Sequence, residues 1–200
     1  MRNPLKTGIL LFNEVEVLDF TGPFEVLSLA EDATTREKLF SVKTVAQTRV
    51  VISARNGLKV LPDYDFQDAP DFDLLIVPGG YGAEEIEIHN AVLIGWLKQC
   101  ATTTPVIASV CTGAFLLAKA GLLNGKRATT HWMDLDRLEH EYPLVSVQRA
   151  VKFVDEGTVL TSGGISAGIN LSFHLLKRFI GADVARQTAK RMEYDIVIED

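Results

Sequence analysis

Cys111 is the side chain with the most chemical promise. It sits in PVIASVCTGAFLLAKAGLL, where an apolar run over Val106–Val110 predicts a buried strand and a helix follows over Thr112–Ala120. That arrangement places a thiol at the carboxyl end of a central strand, where open α/β sheets bind ligands. A helix N-terminus beside it favours thiolate, so the thiol is expected to titrate below the ordinary value of about 8.5. Free backbone N–H groups at such a turn can also hold an oxyanion. Ser109 and Gly113 are small enough for the tight turn of a nucleophile elbow. The competing reading is an inert buried cysteine, and that is the one expected of Cys100, which follows Lys98-Gln99 near a helix end.

Other residues could serve the same crevice. Pro78-Gly79-Gly80-Tyr81-Gly82 ends a second buried strand, and Gly79 and Gly80 would let the backbone approach a substrate and aim N–H groups at it. Asp19 lies in the apolar run VLDF after the first strand, with Glu14, Glu16 and Glu25 as rivals, and spacing does not choose among them. His131, in ATTHW, comes twenty residues after Cys111, far enough for one helix and a return strand to bring an imidazole back. A histidine hydrogen-bonded at a helix start is the alternative. The four histidines show no H-x-x-x-H or Cys/His ligand spacing, so neither a metal nor another cofactor is expected. Gly164–Gly168 (GISAG) matches G-x-S-x-G, yet the only later histidine, His174, lies in the same predicted helix and cannot fold back onto Ser166. That segment reads as a Gly-rich helix start packing near the site. GLLNGK lacks phosphate-loop spacing.

The elements that must position these residues follow from periodicity. Strands are predicted over Thr7–Phe12, Phe40–Val45, Arg49–Ser53, Gly57–Val60, Leu74–Val77 and Val106–Val110, then Val145–Val147, Ala150–Val154 and Thr158–Thr161. Helices are predicted from LDFTGPFEVLSLA, with Pro23 in its first turn, and over Ala91–Ala101, Thr112–Ala120, Ile169–Phe179 and Asp183–Met192. Asp63–Asp73 reads as a loop. Buried strands alternating with helices predict a three-layer α/β sandwich with a mostly parallel central sheet. At 200 residues without repeat or linker, one domain spanning 1–200 is expected.

Composition narrows the classes further. A net charge of −6 gives a phosphate backbone nothing to hold, so no nucleic-acid partner is expected. The apolar runs are too short to span about 30 Å of hydrocarbon, which argues against a membrane partner. Two cysteines and an N-terminus without a leader-like apolar core point to a cytoplasmic protein with reduced thiols.

Together, LLFNEVEVLDFTGPFEVL, DLLIVPGGYG, ASVCTGAFLLAKAGLLNGKRATTHW and TSGGISAGI resemble the ThiJ/PfpI superfamily, from about residue 7 to 195. The resemblance implies a flavodoxin-like fold, that of class I glutamine amidotransferases. The LDxxGPxEV and SVCTG…ATTHW patterns look most like the branch containing isonitrile hydratases, which also supplies the sensory halves of some AraC-type regulators. It implies Cys111 as nucleophile, Asp19 as the acid hydrogen-bonded to it, Thr112 as a substrate- or water-holding residue and Gly80 as an oxyanion amide. His131 matches a histidine near the site. Protease-like relatives place His directly after Cys, so Thr112 argues against peptidase activity. Many relatives carry Asp where Asn170 stands, which weakens an Asp–His pair built on that position. The implied function is hydration of an isocyanide to an N-formamide through a thioimidate on Cys111, with a small-molecule partner and a homodimeric assembly. Two other readings remain: a glyoxalase-like or other small carbonyl/amide hydrolase, and a non-catalytic redox or ligand sensor.

Overall fold

The computed structural model describes residues 3–199. In chain order the main elements are β1 (Leu5–Leu10), α1 (Val17–Leu29), β2 (Phe40–Ala46), β3 (Ile52–Ser53), β4 (Lys59–Val60), β5 (Tyr64–Asp65) and β6 (Leu74–Val77). Then come α2 (Ala91–Thr103), β7 (Val106–Ser109), α3 (Gly113–Lys119), β8 (Arg127–Ala128), α4 (Leu135–Glu141) and β9 (Ser146–Val147). The chain closes with β10 (Phe153–Asp155), β11 (Val159–Ser162), α5 (Ala167–Phe179) and α6 (Ala182–Arg191).

Seven strands form one sheet in the order β10-β11-β7-β6-β1-β2-β5, parallel except for β10 at the edge. Every residue of β6 and β7 is buried, which is why both read as apolar runs, broken only by the small Ser109 at the end of β7: helices cover both faces of the sheet. The β1–α1–β2 crossover steps one way along the sheet and β6–α2–β7 steps the other. Right-handed crossovers therefore put α1 and α2 on opposite faces, with α5 and α6 joining α1 and α3 joining α2. The crossover connections diverge between the paired strands β1 and β6, and the crevice opens at the carboxyl ends there. The three-layer α/β reading holds.

Several local expectations are corrected. Pro23 lies inside α1 rather than in its first turn, because the helix starts earlier, at Val17. Lacking an N–H, Pro23 gives nothing to the carbonyl of Asp19 one turn back. The apolar stretch Phe12–Phe24, open between core and partner, is mostly core: Phe12, Val15 and Phe20 are buried, while Leu18 and Phe24 are partly exposed. The strand expected over Arg49–Ser53 shrinks to Ile52–Ser53, since Val50 and Val51 face solvent. The Asp63–Asp73 loop contributes β5, a two-residue edge strand on β2. The segment between His131 and Val145, where the sequence reading placed no element, contains α4, whose exposed faces hide its period apart from buried Leu138.

Candidate active site

The elbow is built as the sequence predicts. Cys111 follows β7 with φ of 55°, a left-handed conformation that non-glycine residues rarely adopt. Its N–H donates to the Gly163 carbonyl at 3.2 Å, and its carbonyl accepts from the Thr130 hydroxyl at 2.9 Å. These bonds pin the strained residue between β7, the segment after β8 and the segment after β11. Ile165 also has a positive φ, 51°, so two strained residues face the same crevice.

Asp19 is the acid that reaches the thiol. It lies in the first turn of α1, fully buried, and Oδ2 accepts the Gly79 N–H at 2.9 Å. Its Oδ1 has no partner at ordinary hydrogen-bond distance among the described residues. A helix N-terminus favours a carboxylate by about 1 kcal/mol, but burial outweighs it here. Burial, with the charge of Glu16, pushes the Asp19 carboxyl up to about 7, against the pull of the Gly79 N–H, the Cys111 thiol and the Ile165 N–H. Of the rival acids, Glu16 lines the cleft and Glu25 is exposed.

The thiol departs from expectation. Burial raises the Cys111 pKa above the ordinary cysteine range, and the charge of Asp19 raises it further. Thr112, through its N–H and hydroxyl, and the Ile165 N–H oppose this without reversing it. The expectation of a depressed thiol pKa is therefore corrected: α3 spans only seven residues, and desolvation exceeds what its dipole supplies. Cys100 is half-buried on α2 with its thiol pushed up to about 12, chiefly by burial.

Thr112 and Gly80 bond each other. The Gly80 N–H donates to the Thr112 hydroxyl at 2.9 Å, so this amide, expected to face an oxyanion, already has an acceptor in the resting site. Gly79 permits that contact between loops: a Cβ there would stand 2.5 Å from the Thr112 nitrogen. His131 joins the cleft, its ring against Gly164, and its Nδ1 lies 3.4 Å from the carboxylate of Asp134. Among the described residues no hydrogen bond links His131 to Cys111. The cleft over the thiol measures about 390 Å³, with Glu16, Arg55, Glu84 and Met133 on its walls. Sequence reading had named Glu16 only as a rival of Asp19, and it missed Arg55, Glu84, Met133, Asp134 and Ile165; GISAG marked the right segment, but for its serine. Ser166 is exposed, and His174 Nε2 lies 2.7 Å from Asp155.

Among the described residues no group of three His, Cys, Asp or Glu side chains could hold a metal, and no helix is long and apolar enough to cross a membrane.

Residues 6–178 match the model of the DJ-1/PfpI family. The chain belongs to the DJ-1/PfpI family. One relative, the isonitrile hydratase of Pseudomonas putida, is 35% identical over 190 residues, covering 95% of this chain and 78% of that protein. A second, the HTH-type transcriptional regulator GbdR of Pseudomonas aeruginosa, is 28% identical and matches 97% of this chain but only 52% of its own length. The DJ-1/PfpI fold recurs in a THiJ/PfpI family protein from Pseudomonas syringae, with TM-score 0.84 at 23% identity over 99% of this chain and 78% of that one. Drosophila melanogaster DJ-1beta gives TM-score 0.82 at 18% identity, covering 97% of this chain and all of that structure.

Proposed function

We propose that this protein is a cofactor-free, cysteine-dependent enzyme of the isonitrile hydratase type, acting on a small isocyanide. The observation that carries the reading is the pairing of a buried thiol, Cys111, with a buried carboxyl, Asp19, whose pKa is raised to about 7. Such a pair can hold one proton between sulfur and carboxyl and move it during reaction. Sulfur bonds to the isocyanide carbon while Asp19 takes the thiol proton and passes it to that carbon, giving a thioimidate. Water then adds to the carbon, a proton goes to nitrogen, and the C–S bond breaks. N-formamide leaves and sulfur regains its proton. Thr112 and Ile165, whose N–H groups face the sulfur, hold the reacting atoms. His131 and Asp134 line the entrance and orient water, and the Gly79–Gly80 loop fixes Asp19 and Thr112.

The similarity to isonitrile hydratase supports this reading, and a homodimer in the cytoplasm is the assembly proposed with it. The similarity to regulators over 97% of the chain favours a second reading, ligand sensing without turnover. Isocyanide assayed for formamide production separates them: the enzyme reading expects turnover that Cys111→Ala reduces more than a thousandfold. Binding without turnover, or an undiminished Cys111→Ala rate, would sink it.

A further inference from the structure

We propose that Glu84 makes the Cys111 cleft selective for substrates bearing a cationic group, such as an ammonium, near the reacting carbon. The inference rests on Cys111 as the reacting group in the proposed function. The walls carry three carboxylates, Glu16, Glu84 and Asp134, against one permanent cation, Arg55. Two of the three have partners: Glu16 lies 3.9 Å from Arg55 and Asp134 lies 3.4 Å from His131. Glu84 is half-buried, yet no hydrogen bond or ion pair among the described residues reaches its carboxylate.

Its backbone, by contrast, is held in place. The Glu84 N–H donates to the Gly80 carbonyl at 3.3 Å, and its own carbonyl accepts from Arg137 Nη2 at 3.2 Å. The guanidinium of Arg137 directs its other donors to Glu141 at 2.9 Å and Glu85 at 3.1 Å, and lies over the Phe115 ring. Arg137 thus fixes the turn without occupying the carboxylate of Glu84. Burial and the charge of Asp134 raise the Glu84 pKa, the charges of Arg137 and Arg55 oppose the rise without cancelling it, and a cation bound at the carboxylate would lower it further. Behind the thiol lies the fully buried Asp19, whose Oδ1 has no partner at ordinary hydrogen-bond distance among the described residues and feels only the weaker pull of the Cys111 thiol and the Ile165 N–H. An anionic substrate would meet net negative charge in a partly desolvated cleft, where screening is weak.

Charged methanethiosulfonates read this field at the sulfur without any isocyanide chemistry. The Cys111 sulfur attacks the sulfenyl sulfur of the reagent, an S–S bond forms, methanesulfinate leaves and the thiol proton passes to solvent. On a Cys100→Ser background, the ammonioethyl-to-sulfonatoethyl rate ratio, divided by that of a free small thiol, is expected to exceed about 10. Glu84→Gln is expected to lower it several-fold, Glu84→Asp to retain most of it, and Glu85→Gln, outside the cleft, to keep it. A normalised ratio near 1, a ratio unmoved by Glu84→Gln, or failure of all reagents to label Cys111 overturns the proposal. With isocyanides of matched length, ammonioalkyl should outpace alkyl, and alkyl should outpace carboxyalkyl, in kcat/KM. If none turns over while the labelling ratio stands, the hydratase reading fails and the charge selectivity survives.

Discussion

At the scale of single residues, Asp19 and Cys111 titrate as one unit. In the proposed mechanism the reactive form holds one proton, and above about pH 7 burial, which disfavours thiolate more than carboxylate, leaves that proton on sulfur. Turnover measured as kcat/KM is therefore expected to rise as pH passes through about 7 and to stay level well into the alkaline range. Asp19→Asn removes the proton carrier and is expected to cost at least a hundredfold in kcat/KM. The same change deletes the negative charge beside sulfur, so the Cys111 thiol should titrate lower in the variant than in wild type. Thiolate absorbance on the Cys100→Ser background measures this. A variant that keeps near wild-type turnover would contradict the assignment.

Asp19 also leaves a mark on stability. Its carboxyl titrates near 7 in the folded chain against an ordinary 3.8. Below about pH 4 both states are protonated and the residue costs nothing. Between about pH 4 and 7 the unfolded chain loses its proton while the folded one keeps it, so stability falls as pH rises. The full loss is about 4 kcal/mol, from three pKa units at 1.36 kcal/mol each. Denaturant melts at pH 4.5 and 7.5 should show Asp19→Asn gaining stability relative to wild type at the higher pH. An equal difference at both would refute the burial cost.

At the scale of elements, two segments hold strained residues against each other: the β7–α3 turn at Cys111 and the β11–α5 turn at Ile165. A β-branched side chain at positive φ is costly, and Ile165 is 38% exposed, so it gains little burial in return. Ile165→Gly is expected to stabilise the fold by about 1 kcal/mol, raising Tm by a few degrees. It should also lower kcat, because the freed backbone no longer holds its N–H toward Cys111 and Asp19. A variant that is both less stable and fully active would show that the conformation carries no strain used by the site.

At the scale of the whole molecule, the net charge of −6 and the acidic cleft act together to draw cations and repel anions. The proposed homodimer should sediment at twice the 22.0 kDa of the chain at micromolar concentration. A single species at the monomer mass would remove it.

The sequence by itself determined the elbow. Val106–Val110 is apolar but for the small Ser109 because β7 is covered on both faces, and the switch to helical spacing after Thr112 places Cys111 at the junction. The Leu74–Val77 strand and the Gly79–Gly80 loop were legible for the same reason: a buried parallel strand and a close backbone approach each leave a local pattern. Family motifs then singled out Asp19 among four acids that spacing could not separate. Only the tertiary structure decided the state of the thiol, because desolvation and the charge of a carboxyl 92 positions away act through space. It likewise decided that the Gly80 N–H meets Thr112, that His131 meets Asp134 and that Glu84 faces the cleft with no ion pair among the described residues. Hydrophobic periodicity records which side of an element is covered. Which polar groups meet across the crevice depends on how four separate segments converge at the ends of β1, β6, β7 and β11.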